Sequence, residues 1–192
     1  MRVEDKLIQK KKRIDHRLDQ ILSGDDSILL QAMRYAVLSG GKRFRPMLML
    51  SAGECFGMDG EIVLPFACAL ELIHNYSLVH DDLPAMDNDD FRRGQPSCHK
   101  TFGEDMAILA GDGLLTLAFE VLAQASVDDA LLTRKEQSIR EISRFAGIQG
   151  MIGGQLLDIS LLPDKISEEE LCTLILKKTG ALIIASMRVG AI

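Results

Sequence analysis

Residues 65–94 read PFACALELIHNYSLVHDDLPAMDNDDFRRG. The first half has the composition of an apolar helix, running from about Glu61 or Pro65 to Asp82 and stopping before Pro84, which cannot extend it. Five aspartates (Asp81, Asp82, Asp87, Asp89, Asp90) then fall within ten residues at the helix C-terminus. Carboxylates there face the negative pole of the helix dipole, an unfavourable placement unless a cation compensates. Oxygen donors without cysteine or paired histidine suit Mg²⁺, which keeps several waters and bridges to phosphates. The spacer Leu83–Met86 must loop if Asp82 and Asp87 are to face one ion. An EF-hand does not fit: counted from Asp87, the fifth position is Phe91 and the sixth is Arg92, not glycine. The competing reading is a solvated acidic loop capping the next helix. Arg92 and Arg93 weigh against it, because a polyanion can meet metal at one end and arginine at the other.

Outward from this stretch the helical vocabulary continues. Leucine, alanine, isoleucine and methionine dominate, aromatics are 5%, tryptophan is absent, and no segment reads as a convincing strand. A first helix is expected over Glu4–Leu22, with Leu7, Ile14, Leu18, Ile21 and Leu22 as its apolar stripe. Asp25, Asp26 and Ser27 start a second, stopped by Gly40 and Gly41. Pro46 occupies the first turn of a third, which fades near Gly57. Further helices are expected over Glu104–Ala125, from a Thr133/Glu136 capping box to about Ile159, and from a Ser167/Glu170 capping box to Ile192. No linker or repeat divides the 192 residues, which read as one domain, 1–192.

A net charge of −6 argues against a general binder of nucleic acid or anionic membrane. The longest run free of charged residues, Phe145–Leu157, is shorter than the roughly 18 residues a membrane span needs, so no stable membrane insertion is expected. Cys55, Cys68, Cys98 and Cys172 have no zinc spacing and read as reduced cysteines of a cytoplasmic protein.

A second charged motif precedes the third helix. Gly40-Gly41-Lys42-Arg43-Phe44-Arg45-Pro46 sets three cations at a helix N-terminus, where a bound anion would reverse their dipole penalty. The plainer reading is a helix stop followed by solvated bases. His74, two turns before Asp81 on nearly the same face, is either a core histidine or a diphosphate donor. Lys178 interrupts an apolar run beside Thr179 and needs a partner, either a ligand phosphate or an interior aspartate. Gln155 and Asp158 share another helix face.

Taken together and in order, Gly-Gly-Lys-Arg-Phe-Arg-Pro, Asp-Asp-x-x-x-x-Asp with Arg-Arg-Gly, Gly-Gly-Gln-x-x-Asp and Lys-Thr-Gly resemble the trans-isoprenyl diphosphate synthases, or polyprenyl synthetases. The two extra residues within the aspartate motif are similar to those of bacterial farnesyl diphosphate synthases. The resemblance implies an all-α, antiparallel helical bundle with a deep central cavity, of isoprenoid synthase type. It implies Mg²⁺ held by Asp81, Asp82 and Asp87, and isopentenyl diphosphate held by Lys42, Arg45, His74 and Arg93. Arg92, Lys178 and Thr179 would hold the allylic diphosphate, with Lys178, Thr179 and Gln155 serving catalysis. Tyr76 and Ser77, five and four residues before Asp81, would form the floor that sets product length. At about 100° per residue Ser77 lies in line with Asp81 and Tyr76 does not, so the role of Tyr76 rests on resemblance alone.

The activity implied is head-to-tail condensation of isopentenyl diphosphate with dimethylallyl or geranyl diphosphate through an allylic carbocation, giving farnesyl diphosphate. The partners expected are small-molecule diphosphates and a second copy of the chain in a homodimer, with no nucleic acid. The alternatives are a geranylgeranyl diphosphate synthase, a non-catalytic helical partner subunit, or a Mg²⁺-dependent terpene cyclase. Intact motifs weigh against the subunit, and the basic turn weighs against the cyclase. The family's second aspartate-rich motif is not found: after Asp158 the only aspartate is Asp164. The chain is therefore expected to be the N-terminal portion of a synthase, with C-terminal helices missing.

Overall fold

The computed structural model describes residues 2–160 and 166–192; Asp164 lies outside the described residues. The chain forms two compact units, Met1–Met47 with Leu64–Ala125, and Leu48–Val63 with Ser126–Ile192.

The first unit contains α1 (Val3–Ile21), α2 (Ile28–Leu38), the start of α3 (Phe44–Cys55) and most of α4 (Gly60–Asp81). A two-stranded ribbon follows, β1 (Phe91–Arg92) and β2 (Gln95–Pro96), then α5 (Cys98–Phe102) and α6 (Glu104–Gln124). On α1 the expected stripe narrows to Ile14, Leu18 and Leu22, all fully buried, while Leu7 stays 41% exposed. Ser27 caps α2, its Oγ accepting from the Leu30 N–H at 3.3 Å. α2 packs against α6 and α1, and the buried residues of this unit include Ala32, Val37, Leu70, Ile73 and Leu114.

The second unit holds the rest of α3, the first residues of α4, and α7 (Leu132–Ala146), α8 (Met151–Ser160), α9 (Glu168–Ile175) and α10 (Ala181–Ala191). A π-helical turn, Leu176–Gly180, joins α9 to α10. Ser167 and Glu170 form the expected capping box, with the Ser167 N–H donating to Glu170 Oε2 at 2.9 Å. α10 packs on α7, with Leu182, Ala185 and Ile142 buried, and is tied to it by Arg188 Nη2 donating to Glu141 Oε1 at 3.1 Å.

Several expectations are corrected. The helix expected from Thr133 to Ile159 is two helices, because the chain turns at residues 147–150, where the Gly147 N–H closes on Ser143 O and the Gly150 N–H on Gly147 O. Thr133 is not a cap: a 3₁₀ turn, Asp129–Leu131, runs straight into α7 and puts Thr133 inside its first turn. The sequence shows no strand, yet Arg93 and Gly94, at φ 54° and 78°, form a tight turn that pairs Phe91 with Pro96. On length and composition α4 and α6 also pass as membrane-crossing helices, because the charged residues lie at their ends or are few. Of the most apolar 18-residue window, 72% is buried in α4 and 33% in α6.

α8 packs against the π-helical turn at Gly154, where an added Cβ would lie 2.2 Å from the Lys178 nitrogen. A backbone atom cannot give way cheaply, so Gly154→Ala is expected to destabilise the protein by about 1–3 kcal/mol, read as a lowered midpoint in thermal unfolding.

Candidate active site

The basic turn is built where α2 ends. Gly40 and Gly41 take φ of 107° and 131°, and Arg43 takes 50°. Gly41 is needed as glycine twice over: its φ is in the left-handed half of the map, and an added Cβ would sit 3.1 Å from the Arg93 guanidinium carbon. The Arg43 carbonyl accepts the first α3 hydrogen bond from Met47 N at 3.1 Å, which fixes Arg45 in the opening turn.

Both arginine-bearing turns are held by one face of α4 and by Asp82, the residue just past its end. Glu71, His74, Asn75 and Asp82 recur at spacings that share a helix face. Arg43 Nη1 donates to Glu71 Oε1 at 2.9 Å, Arg45 Nη1 to His74 Nε2 at 3.3 Å, and Arg93 Nη2 to Asn75 Oδ1 at 3.5 Å. Arg92 Nε donates to both Asp82 carboxylate oxygens, at 3.0 and 3.2 Å. Arg93 Nη1 also donates to the Gly40 carbonyl, so the ribbon turn and the basic turn are joined directly. Lys42 is exposed at the edge of this array.

The aspartate loop closes on itself. Asp87 N donates to the Asp81 carbonyl at 2.9 Å, while Met86 N and Asn88 N donate to Leu83 O at 2.9 and 3.1 Å. The spacer therefore loops, but it brings the Asp87 backbone to the Asp81 carbonyl and does not set Asp87 beside Asp82 as the shared-ion expectation required. Asp82 points elsewhere, buried and engaged by Arg92. Among the described residues no three carboxylate, histidine or cysteine side chains converge as a metal cage. Mg²⁺ commonly takes one or two carboxylates with water and phosphate completing the shell, and Asp81 and Asp87, joined through their backbone hydrogen bond, are donors of that kind. Tyr76 is 6% exposed, packed edge-on against His80 with ring centroids 5.7 Å apart. Burial, and then the Asp81 charge, push its hydroxyl pKa up. Ser77 Oγ donates to the His74 carbonyl at 2.8 Å.

In the second unit, Lys178 lies in the π-helical turn and pairs with Asp158 on α8, an exposed aspartate and not the interior one expected. Thr179 is exposed. Gln155 Nε2 is buried without an acceptor, as is the Arg45 Nε in the first unit. Buried donors are normally satisfied, and the same lack of a partner is found at His99 Nε2, so these atoms by themselves locate no ligand. All four cysteines are free, and burial pushes the Cys68 thiol up to about 12.

Electrostatically the first unit's site is a set of partly desolvated cations. Burial lowers the pKa of Arg45 and Arg93, with the neighbouring Arg43 adding to the effect on Arg93. Burial, then Arg45 and Arg93, push His74 down to about 3. It is therefore neutral, and because arginine only donates, its Nε2 is the acceptor and its proton sits on Nδ1. Sequence reading missed Glu71 and Asn75. The signal was there, since both interrupt an otherwise apolar helix within one turn of His74.

A histidine held neutral in the fold but free to charge when unfolded makes the unfolded chain bind more protons at low pH. Stability is therefore expected to fall by about 1.4 kcal/mol per pH unit from the His74 contribution as pH drops from about 6.5 toward 3. Denaturant titrations across that range in the native chain and a His74→Gln variant check it; an identical pH slope in both would refute the assignment.

The sequence model of the polyprenyl synthetase family matches residues 26–192. The chain is 44% identical over 191 residues to a heterodimeric geranylgeranyl pyrophosphate synthase large subunit of Arabidopsis thaliana, covering 97% of this chain and 52% of that protein. It is 41% identical over 192 residues to the farnesyl diphosphate synthase of Geobacillus stearothermophilus, covering 99% of this chain and 65% of the other. The chain thus spans about half to two thirds of the length of these relatives. Among solved structures, an FPP/GFPP synthase from Zymomonas mobilis superposes with a TM-score of 0.91 at 37% identity, over 98% of this chain and 69% of that one. A geranyltransferase from Legionella pneumophila gives 0.91 at 41%, over 97% and 67%. The architecture is the all-α isoprenoid synthase fold, and the chain belongs to the polyprenyl synthetase family of trans-prenyltransferases.

Proposed function

We propose that the protein condenses isopentenyl diphosphate with an allylic diphosphate, and that its product is farnesyl diphosphate. The observation that carries the reading is the gathering of Arg45, Arg92 and Arg93 on one face of α4, at the end of which Asp87 folds back to Asp81. Cations beside an aspartate-bearing loop suit two diphosphates, one bound directly and one shared with metal.

In this reading Lys42, Arg45 and Arg93 bind the isopentenyl diphosphate. His74 keeps the Arg45 fork aimed. Asp81 and Asp87 would hold Mg²⁺, which when bound neutralises charge on the allylic diphosphate. Asp82 positions Arg92 toward the same group. Lys178, Thr179 and Gln155 take the allylic roles that their motifs carry in the family. The allylic C–O bond breaks to give pyrophosphate and a carbocation, the isopentenyl double bond attacks to form the new C–C bond, and the departing proton goes to pyrophosphate. A buried Tyr76 near Asp81 is consistent with a floor at fifteen carbons. A homodimer and a cytoplasmic location belong to the same reading. The two units are read as parts of one synthase domain, which the family match across 26–192 supports.

The geranylgeranyl alternative is favoured by the Arabidopsis relative, and product sizing separates the two. With Mg²⁺, labelled isopentenyl diphosphate and geranyl diphosphate, a fifteen-carbon product is expected. A twenty-carbon product would reassign chain length, and no incorporation together with no diphosphate binding would overturn the reading. Tyr76→Ala is expected to shift the product toward twenty carbons. Arg45→Ala is expected to weaken isopentenyl diphosphate binding by about 1.5–3 kcal/mol, measured calorimetrically.

A further inference from the structure

Arg43 sits between Lys42 and Arg45 yet points away from solvent, its side chain 1% exposed. It donates to Asp15 Oδ1 on α1 at 2.7 Å, to Glu71 Oε1 on α4 at 2.9 Å and to the Val37 carbonyl on α2 at 2.6 Å. Three elements therefore converge on one guanidinium, whose own backbone is in the left-handed region. Its carbonyl also starts α3. Arginine rarely adopts that backbone conformation, and a buried ion pair is seldom the most stable filling for a core. The arrangement makes sense if the turn must be held at a fixed torsion.

We propose that Arg43 is a positioning residue for the isopentenyl diphosphate subsite, locking the turn that aims Lys42 and Arg45, with Glu71 as its buried anchor. The proposal rests on the functional reading above. Arg43 itself touches no substrate. Glu71 also places one negative charge beneath Arg43, Arg45 and Arg93, so the cations stay assembled before an anion arrives.

The test separates positioning from stability. In Arg43→Met combined with Glu71→Leu, the buried pair is replaced by apolar groups of similar size, while Asp15 keeps its Lys11 partner. Calorimetry with isopentenyl diphosphate and thermal unfolding are run on the native chain, this double variant and Arg43→Lys. The double variant is expected to unfold within a few degrees of the native chain but to bind about tenfold or more weakly. Arg43→Lys, which keeps the charge but loses the fork to Val37, is expected to be folded and similarly weakened. Native-like affinity in either folded variant overturns the proposal and leaves the functional reading standing. Absence of binding by the native chain overturns both.

Discussion

The organising constraint of the first unit is that cations gathered for an anion repel one another when none is bound. Four arginines brought onto one helix face would drive that part of the chain apart without acceptors beneath them. α4, with Asp82 just past its end, supplies the acceptors, a different one for each: a carboxylate under Arg43, a neutral imidazole under Arg45, an amide under Arg93, a second carboxylate under Arg92. The choice of acceptor grades how much positive charge remains for a ligand. Arg43 and Arg92 are directly paired with carboxylates, whereas Arg45 and Arg93 hydrogen-bond neutral groups and feel the Glu71 charge only from a distance.

This grading explains why α4 is both a core helix and a functional one. Leu70, Leu72 and Ile73 are fully buried while Glu71, His74 and Asn75 among them are polar. The apolar residues fix the helix in place, and the fixed helix gives the polar ones their reach. The same division recurs in the second unit, where close packing of α8 on the π-helical turn at Gly154 sets Asp158 against Lys178. A π-helical turn shifts the register of the side chains around it, and such turns recur at functional sites.

Much of this was legible in the sequence. The α1 stripe, the Ser27 cap, the Ser167 capping box and the end of α4 follow from periodicity and cap chemistry, which are local. The ribbon was not, because its tight turn places an arginine where asparagine or glycine is the usual signal. The break at residues 147–150 was hidden inside a run without charges. In the site, the motifs identified which side chains matter but not how they pair. Asp82 reads as one carboxylate among five, and only the fold shows it committed to Arg92. Periodicity tells which face a residue occupies; it does not tell which of several partners reaches it.

Among the described residues, three other than glycine have positive φ: Arg43, Asn88 and Arg93. Only Asn88 is a type that tolerates this readily. For the other two, the backbone alone would favour glycine or asparagine. A redesign guided by folding stability would therefore select against arginine at 43 and 93, removing the cradle while relieving the backbone. The left-handed arginines mark where this chain's interests as a folded object and as a binding site diverge, and they can be found without comparing any second sequence.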